Sequence, residues 1–127
     1  MIEDRAKVIF NSGMVYVGSY EDKKITGYGR GTWPNGGIYD GKWKDGKLNG
    51  WGVFQFLDGK KYEGQYVEDR RNGYGIMEFS NGDKYEGNWI DGKFTQEGTY
   101  KYANGKVCVC IFDEGKCVER KKCANCC

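Results

Sequence analysis

The sequence predicts an all-β fold, a single layer of antiparallel strands that forms a continuous meander. The chain repeats itself every 23 residues, each repeat contains two segments in which aromatic or apolar residues alternate with other residues, and Asn-Gly or Asp-Gly steps separate the repeats. Alternation with a period of two is typical of β-strands. Asn-Gly and Asp-Gly steps are typical of tight type I′ hairpin turns. We therefore expect one hairpin per repeat and about ten strands in total.

Four complete repeats follow one another without a slip in register, at residues 16–38, 39–61, 62–84 and 85–107. Position one is always tyrosine: Tyr16, Tyr39, Tyr62 and Tyr85. Position five is always tyrosine or tryptophan: Tyr20, Trp43, Tyr66 and Trp89. Residues 1–15 match the second half of a preceding repeat, and residues 108–127 form a partial repeat with a cysteine-rich basic tail. These three segments are the expected domain organisation.

Glycine occupies positions three and fourteen of every repeat, between aromatic residues on the same face of the strand. A glycine leaves space above the sheet that a neighbouring ring can fill. The pattern therefore predicts a core built mainly from aromatic side chains.

Composition narrows the function classes. The 127 residues suit one domain, and they carry 20 basic and 18 acidic residues but no histidine. The absence of histidine removes the commonest general acid and base, and the near-neutral charge gives no basic field for nucleic acid. The sequence shows neither a long apolar run nor a secretory signal. We expect a non-enzymatic intracellular protein that does not bind nucleic acid.

The repeats resemble the MORN repeat, whose pattern runs Tyr-x-Gly-x-Trp, a short charged turn with Gly, Gly-x-Gly, and an aromatic residue before Asn-Gly or Asp-Gly. The resemblance covers residues 16–107 and extends from about Ala6 to Gly115 when the partial repeats are included. Lys23 and Asp69 depart from it at position eight, as does Gln96 at position twelve. It implies an elongated, twisted single-layer sheet and a structural scaffold at a membrane–cytoskeleton junction or in a cilium or flagellum, including radial spokes.

A sheet of this kind cannot cover its whole aromatic face, and an exposed apolar strip favours docking of a protein partner. We expect a helix or an extended segment of the partner to lie in an aromatic groove. The expected contact residues are the rings and acids of the central repeats: Tyr39, Asp40, Trp43, Tyr62, Glu63, Tyr66, Tyr85, Glu86 and Trp89. The ends of the sheet could also pair two copies into a homodimer or an end-to-end assembly.

The alternative is a membrane tether that binds anionic phospholipid. Arg120, Lys121 and Lys122 would contact the head groups. The chain ends in two cysteines after this basic cluster, which resembles the double-cysteine ends that are prenylated on some small GTPases. These cysteines could be lipidated, by prenylation or by palmitoylation.

All six cysteines lie in the last 20 residues. Cys123 and Cys126 have the spacing of half a zinc knuckle, and with Cys110 and Cys117 they could form a tetrahedral zinc site that caps the end of the sheet. Without a secretory signal, disulfides are disfavoured. We expect free thiols and no cofactor, with zinc as the alternative.

Overall fold

A computed structural model shows one antiparallel sheet in the part of the chain that it describes, residues 5–113 and 116–124, with the backbone alone at 95 and 96. Eleven strands pair in the order in which they occur along this part of the chain. The strands are β1 Arg5–Ile9, β2 Val15–Glu21, β3 Lys24–Thr32, β4 Ile38–Lys44, β5 Lys47–Gln55, β6 Lys61–Val67, β7 Arg70–Glu78, β8 Lys84–Ile90, β9 Lys93–Lys101, β10 Val107–Asp113 and β11 Lys116–Ala124. The predicted all-β meander is confirmed, with one strand more than expected.

The described residues include no helical segment with the length and hydropathy of a membrane span. Each full repeat supplies two consecutive strands, and contacts between strands are concentrated on neighbours in sequence. The sheet therefore grows by local pairing, as repeat proteins do.

The two faces of the sheet differ in burial. In β6 the residues Tyr62, Gly64 and Tyr66 are buried, whereas those between them are exposed. We call the face that carries Tyr62 and its equivalents the aromatic face, and the opposite face the reverse face. The burial follows the period-two alternation of the sequence.

Paired glycines lie beneath each position-one tyrosine. Gly41 and Gly52 are Cα partners across β4 and β5, and a Cβ atom built on Gly52 would meet the Tyr39 ring. The same arrangement recurs at the equivalent glycine pairs of the other repeats. The prediction that rings fill the space above the glycines is confirmed.

The turns inside the repeats are tight. Asp45 and Gly46 both have positive φ, at 48° and 83°, which is the conformation of a type I′ turn. The Gly46 amide also donates a hydrogen bond to the Ile25 carbonyl of the preceding repeat, at 2.9 Å. The Asp69 and Gly92 amides make the equivalent bonds to the Leu48 and Arg71 carbonyls, so these three hairpin tips are hydrogen-bonded to the preceding repeat.

The turns between repeats were predicted wrongly as type I′. At Pro34-Asn35-Gly36 only the glycine has positive φ, at 93°. The Gly36 amide donates to the Trp33 carbonyl, and the Trp33 amide to the Gly37 carbonyl, both at 2.9 Å. This is a three-residue loop, a type I turn followed by a glycine bulge. The central residues of this turn are Pro34 and Asn35, and the fixed negative φ of proline suits the first central position of a type I turn.

Candidate protein-binding groove

The six rings predicted to contact a partner lie in the core. Tyr39, Tyr62 and Tyr85 are fully buried, and Trp43, Tyr66 and Trp89 are 2–5% exposed. Their partner-binding role stays a prediction, but their burial removes them from the surface that a partner would meet. The partly exposed rings of the aromatic face pack against this buried cluster.

These rings interlock edge to face along the sheet. The Trp43 ring centroid lies 5.1 Å from that of Tyr16 in the preceding repeat and 5.4 Å from that of Tyr39 in its own. Tyr39 in turn lies 5.4 Å from Tyr66 of the next repeat. Edge-to-face pairs stabilise beyond their area burial. The ladder couples each repeat to its neighbours.

The polar atoms of the buried rings are satisfied by the backbone. The Tyr39 hydroxyl donates to the Lys42 carbonyl at 3.0 Å, and Trp43 Nε1 donates to the Gly29 carbonyl at 3.0 Å. Burial raises the pKa of Tyr39 to about 12, although its backbone hydrogen bond acts in the opposite direction. The same burial raises the pKa of Tyr85 to about 12. The rings therefore stay neutral at physiological pH.

A second set of rings on the aromatic face remains partly exposed. It comes from position eighteen of the repeats: Phe10, Trp33, Phe56, Phe79 and Tyr102. Phe54, from position sixteen, joins this set, with ring centroids 5.2 Å from Trp33 and 4.6 Å from Phe56. These rings form one wall of a groove that the sequence analysis did not separate from the buried rings.

The groove is visible as two equivalent cavities, two repeats apart. The first has a volume of about 290 Å³ and includes Phe10, Tyr20 and Ile25. The second has a volume of about 240 Å³ and includes Phe56, Tyr66 and Arg71 at the same repeat positions. In both cavities the opposite wall is the hairpin tip, with Gly46 or Gly92. The groove is therefore bounded by exposed rings on one side and by hairpin tips on the other.

Arg71 places a cation in this groove where the first repeat has Ile25. Its guanidinium lies 4.8 Å from the centroid of Trp89 and 5.8 Å from that of Tyr62. Arg71 also donates to the Gly92 carbonyl at 2.8 Å. Burial lowers its pKa from the ordinary value. Cation–π contact of this kind orders the side chain against the ring face.

Asp83 is a buried carboxylate of the same face. Its Oδ1 accepts a hydrogen bond from the Ala103 amide at 2.8 Å, and its Oδ2 accepts one from the Tyr100 hydroxyl at 2.9 Å. Burial and this hydrogen bond both raise the pKa of Tyr100. Asp83 therefore links the turn after β7 to the turn after β9 by a hydrogen bond.

The acids predicted for the same site lie on the reverse face instead. Asp40 accepts a bidentate pair of hydrogen bonds from the Arg30 guanidinium, at 2.7 and 3.0 Å. Glu86 accepts from the Tyr74 hydroxyl at 2.6 Å and lies 3.6 Å from Lys101 Nζ. Glu63 is exposed. The structure therefore separates the predicted rings and acids, because adjacent residues of a strand point to opposite faces.

The reverse face also carries exposed aromatic residues that the sequence analysis missed. They come from position thirteen: Tyr28, Trp51 and Tyr74, exposed by 64%, 43% and 41%. The fourth repeat has Glu97 there. The signal was available, because position thirteen directly precedes the glycine of position fourteen and must face away from the core.

At the end of the sheet the structure brings several cysteines together. Cys110 of β10 and Cys117 of β11 form a disulfide, so the expectation of free thiols was wrong for this pair. The two residues come close because antiparallel pairing folds the chain back within seven residues. Cys108 and Cys123 are Cα partners with their Sγ atoms 2.8 Å apart.

The predicted zinc site is not assembled in the part of the chain that is described. Cys126 lies outside the described residues, and among those residues there is no group of three or more metal-ligating side chains. Zinc binding by the cysteines stays a prediction. So does phospholipid contact by Arg120, Lys121 and Lys122, which are exposed on β11.

The fold and groove define a repeat protein with a continuous surface for a partner, and comparison with known proteins identifies the repeats. The model of the MORN repeat family matches residues 16–38, 39–61, 62–84 and 85–107. The chain belongs to the MORN-repeat family. Proteins of this family are generally non-enzymatic scaffolds, and no enzyme family is indicated. No curated protein matches the chain significantly.

Solved structures give weaker similarities. The crystal structure of the TCP10c domain of Drosophila melanogaster Sas-4 has a TM-score of 0.43 and 14% identity, over 85% of this chain and 86% of that one. The Drosophila melanogaster SAS-4 (dCPAP) TCP domain in complex with a proline-rich motif of Ana2 (dSTIL) has a TM-score of 0.35 and 14% identity, over 84% and 77%.

Proposed function

We propose that this protein is a non-enzymatic adaptor that holds a helix or an extended segment of a protein partner in the groove of the aromatic face. The observation that carries the proposal is the repetition of this groove, with half-exposed rings at equivalent positions along the sheet. Rings fixed by packing are good anchors for a partner because they lose little entropy on binding.

The length of the groove fits a segment rather than a small molecule. The two equivalent cavities are four strands apart, which is about 19 Å along the sheet. A helix rises about 1.5 Å per residue, so about thirteen helical residues would reach both cavities. Each cavity alone is smaller than a typical small-molecule pocket, which measures roughly 300–1,000 Å³.

The assembly we propose is cytoskeletal, ciliary or flagellar, or cortical, and it includes the axoneme and its radial spokes. This placement is supported by family membership alone.

The test is affinity capture from cell extract with wild-type protein and a Phe56→Ala variant. Phe56 is half-buried in the wall of the groove. We expect a set of partners that wild-type protein captures and Phe56→Ala loses. Leu57→Ala is the matched control, since Leu57 is an adjacent apolar residue that is 80% exposed in a turn. Identical capture by all three proteins would contradict the groove assignment.

A further inference from the structure

The reverse face holds a second recognition surface, independent of the groove on the aromatic face. It contains the largest of the cavities described here, about 700 Å³, which is lined by Tyr28 and Trp51. Its floor is glycine backbone at Gly29, Gly41 and Gly52. The Cβ positions of Gly29 and Gly52 point to the rings of the aromatic face, so the cavity meets only backbone at these residues. Its sides are reverse-face side chains, which include the Arg30–Asp40 pair as well as the two rings.

Trp51 differs from the core tryptophan Trp43 in its hydrogen bonding. Trp43 Nε1 donates to a backbone carbonyl at 3.0 Å. Trp51 is 43% exposed, and among the described residues its indole N–H has no acceptor. An exposed indole with a free donor can stack on a ligand and donate a hydrogen bond to it.

Glu63 supplies an uncompensated charge on the same face, two residues before Gln65, the Cα partner of Trp51. It is the Cα partner of Val53 on one side and of Ile76 on the other. Within the residues that the structure describes, no cation or hydrogen-bond donor pairs with its carboxylate, whereas Asp40 is paired with Arg30. A carboxylate between two apolar side chains favours a ligand that carries a basic group.

The spacing of the exposed rings along the sheet indicates the conformation of that ligand. Tyr28, Trp51 and Tyr74 lie on alternate strands, so neighbouring rings are about 9.6 Å apart along the sheet. A polyproline II helix repeats every three residues and rises about 9.3 Å in that distance. A β-strand brings side chains back to one face every two residues, about 6.6 Å, and an α-helix has a pitch of about 5.4 Å. Two α-helical turns span about 10.8 Å and two strand periods about 13 Å, so the polyproline II repeat matches the ring spacing most closely.

The acids have the same period, since Asp40, Glu63 and Glu86 also lie on alternate strands. From the matching spacing of the rings and the acids we infer that the reverse face binds a proline-rich segment in polyproline II conformation. Its prolines would lie against Tyr28, Trp51 and Tyr74, and a basic residue would lie against Glu63. Aromatic-lined surfaces recognise such segments because the ligand is already ordered before it binds. The surface is separate from the groove that contains Phe56.

The test is fluorescence anisotropy with a labelled synthetic peptide of four Pro-Pro-Arg triplets and the full chain. We expect saturable binding that weakens about tenfold or more in Trp51→Ala. A peptide of four Gly-Gly-Arg triplets has the same charge without the polyproline II conformation, and we expect it to bind at least about tenfold more weakly. Phe56→Ala should bind the proline peptide as the wild type does, which separates this surface from the proposed groove.

A charge reversal provides a second variant that does not depend on removing a ring. Glu63→Lys should lose the Pro-Pro-Arg peptide and gain a peptide of four Pro-Pro-Glu triplets. Equal binding of the proline and glycine peptides would overturn the inference, as would unchanged binding by Trp51→Ala. Sedimentation equilibrium tests whether a second copy of the chain binds this face instead. Self-association that Trp51→Ala abolishes would show that it does, and the inference would be wrong.

Discussion

Replacing Gly52 by alanine would test the packing on which both faces depend. The new Cβ would lie inside the space of the Tyr39 ring, which is fully buried. To accept the methyl group, the ring would have to move away from Trp43 and Tyr66, whose centroids are each 5.4 Å from it. The movement would also break the 3.0 Å hydrogen bond from the Tyr39 hydroxyl to the Lys42 carbonyl.

The expected cost follows from these two losses. Overpacking a core costs about 1–3 kcal/mol, and leaving a buried hydrogen-bonding group unpaired costs about 1–3 kcal/mol more. We therefore expect Gly52→Ala to lower the free energy of unfolding by about 3–4 kcal/mol, out of a total of about 5–15 kcal/mol for an ordinary domain. For a chain of this length that corresponds to a melting temperature lower by about 10–15 °C.

Urea unfolding followed by far-ultraviolet circular dichroism measures this change. Gly46→Asn is the matched control, because Gly46 has φ of 83° and nothing within 4 Å of a Cβ atom. Asparagine tolerates that backbone conformation better than most residues, so the control should lower the free energy of unfolding by about 1 kcal/mol at most. If Gly52→Ala is no more destabilising than Gly46→Asn, the ring does not lie over the glycine pair and the reasoning is refuted.

Three further predictions concern the core and the end of the sheet. Because burial raises the pKa of Tyr39 to about 12, the stabilisation by its neutral form should be fully present below about pH 10 and be lost between about pH 10 and 12. The free energy of unfolding, measured from unfolding curves at each pH, should fall over that range and fall less steeply in Tyr39→Phe. Asp83→Ala should lower the free energy of unfolding in urea by about 2 kcal/mol, because the Tyr100 hydroxyl loses its hydrogen-bond acceptor. An unchanged urea midpoint would show that the hydrogen bond between Tyr100 and Asp83 does not stabilise the fold. Reducing the Cys110–Cys117 disulfide should lower stability by about 2 kcal/mol and speed amide exchange in β11, and the loss of stability on adding reductant should be smaller in Cys117→Ser.

The regular part of the fold was predictable because it is encoded locally. The 23-residue period fixes which residues pair, and alternation fixes which face each residue occupies. The turn type between repeats was predicted wrongly, because an Asn-Gly step has different geometry in a two-residue and a three-residue loop. Pro34 was the available signal, since its fixed φ suits the first central position of a type I turn.

The candidate site was predictable only in part. The sequence indicates that Tyr39 and Phe56 share a face, but it does not indicate which of them the neighbouring repeats cover. Burial of Tyr39 depends on the glycine pair beneath it and on rings from adjacent repeats. The position of Asp40 on the opposite face was predictable, because Asp40 directly follows Tyr39 in the same strand. The Cys110–Cys117 disulfide required the pairing of β10 with β11, which the irregular tail of the sequence does not reveal.

Site-specific photo-crosslinking tests the central claim most directly. A photoreactive phenylalanine replaces Phe56 in the groove or, in a second protein, Val67, which is 47% exposed on the reverse face. We predict that the group at position 56 crosslinks one continuous partner segment, identified by mass spectrometry, and that the group at position 67 does not crosslink that segment. Crosslinking of the same segment from position 67 but not from position 56 would contradict the claim that the partner lies in the groove of the aromatic face.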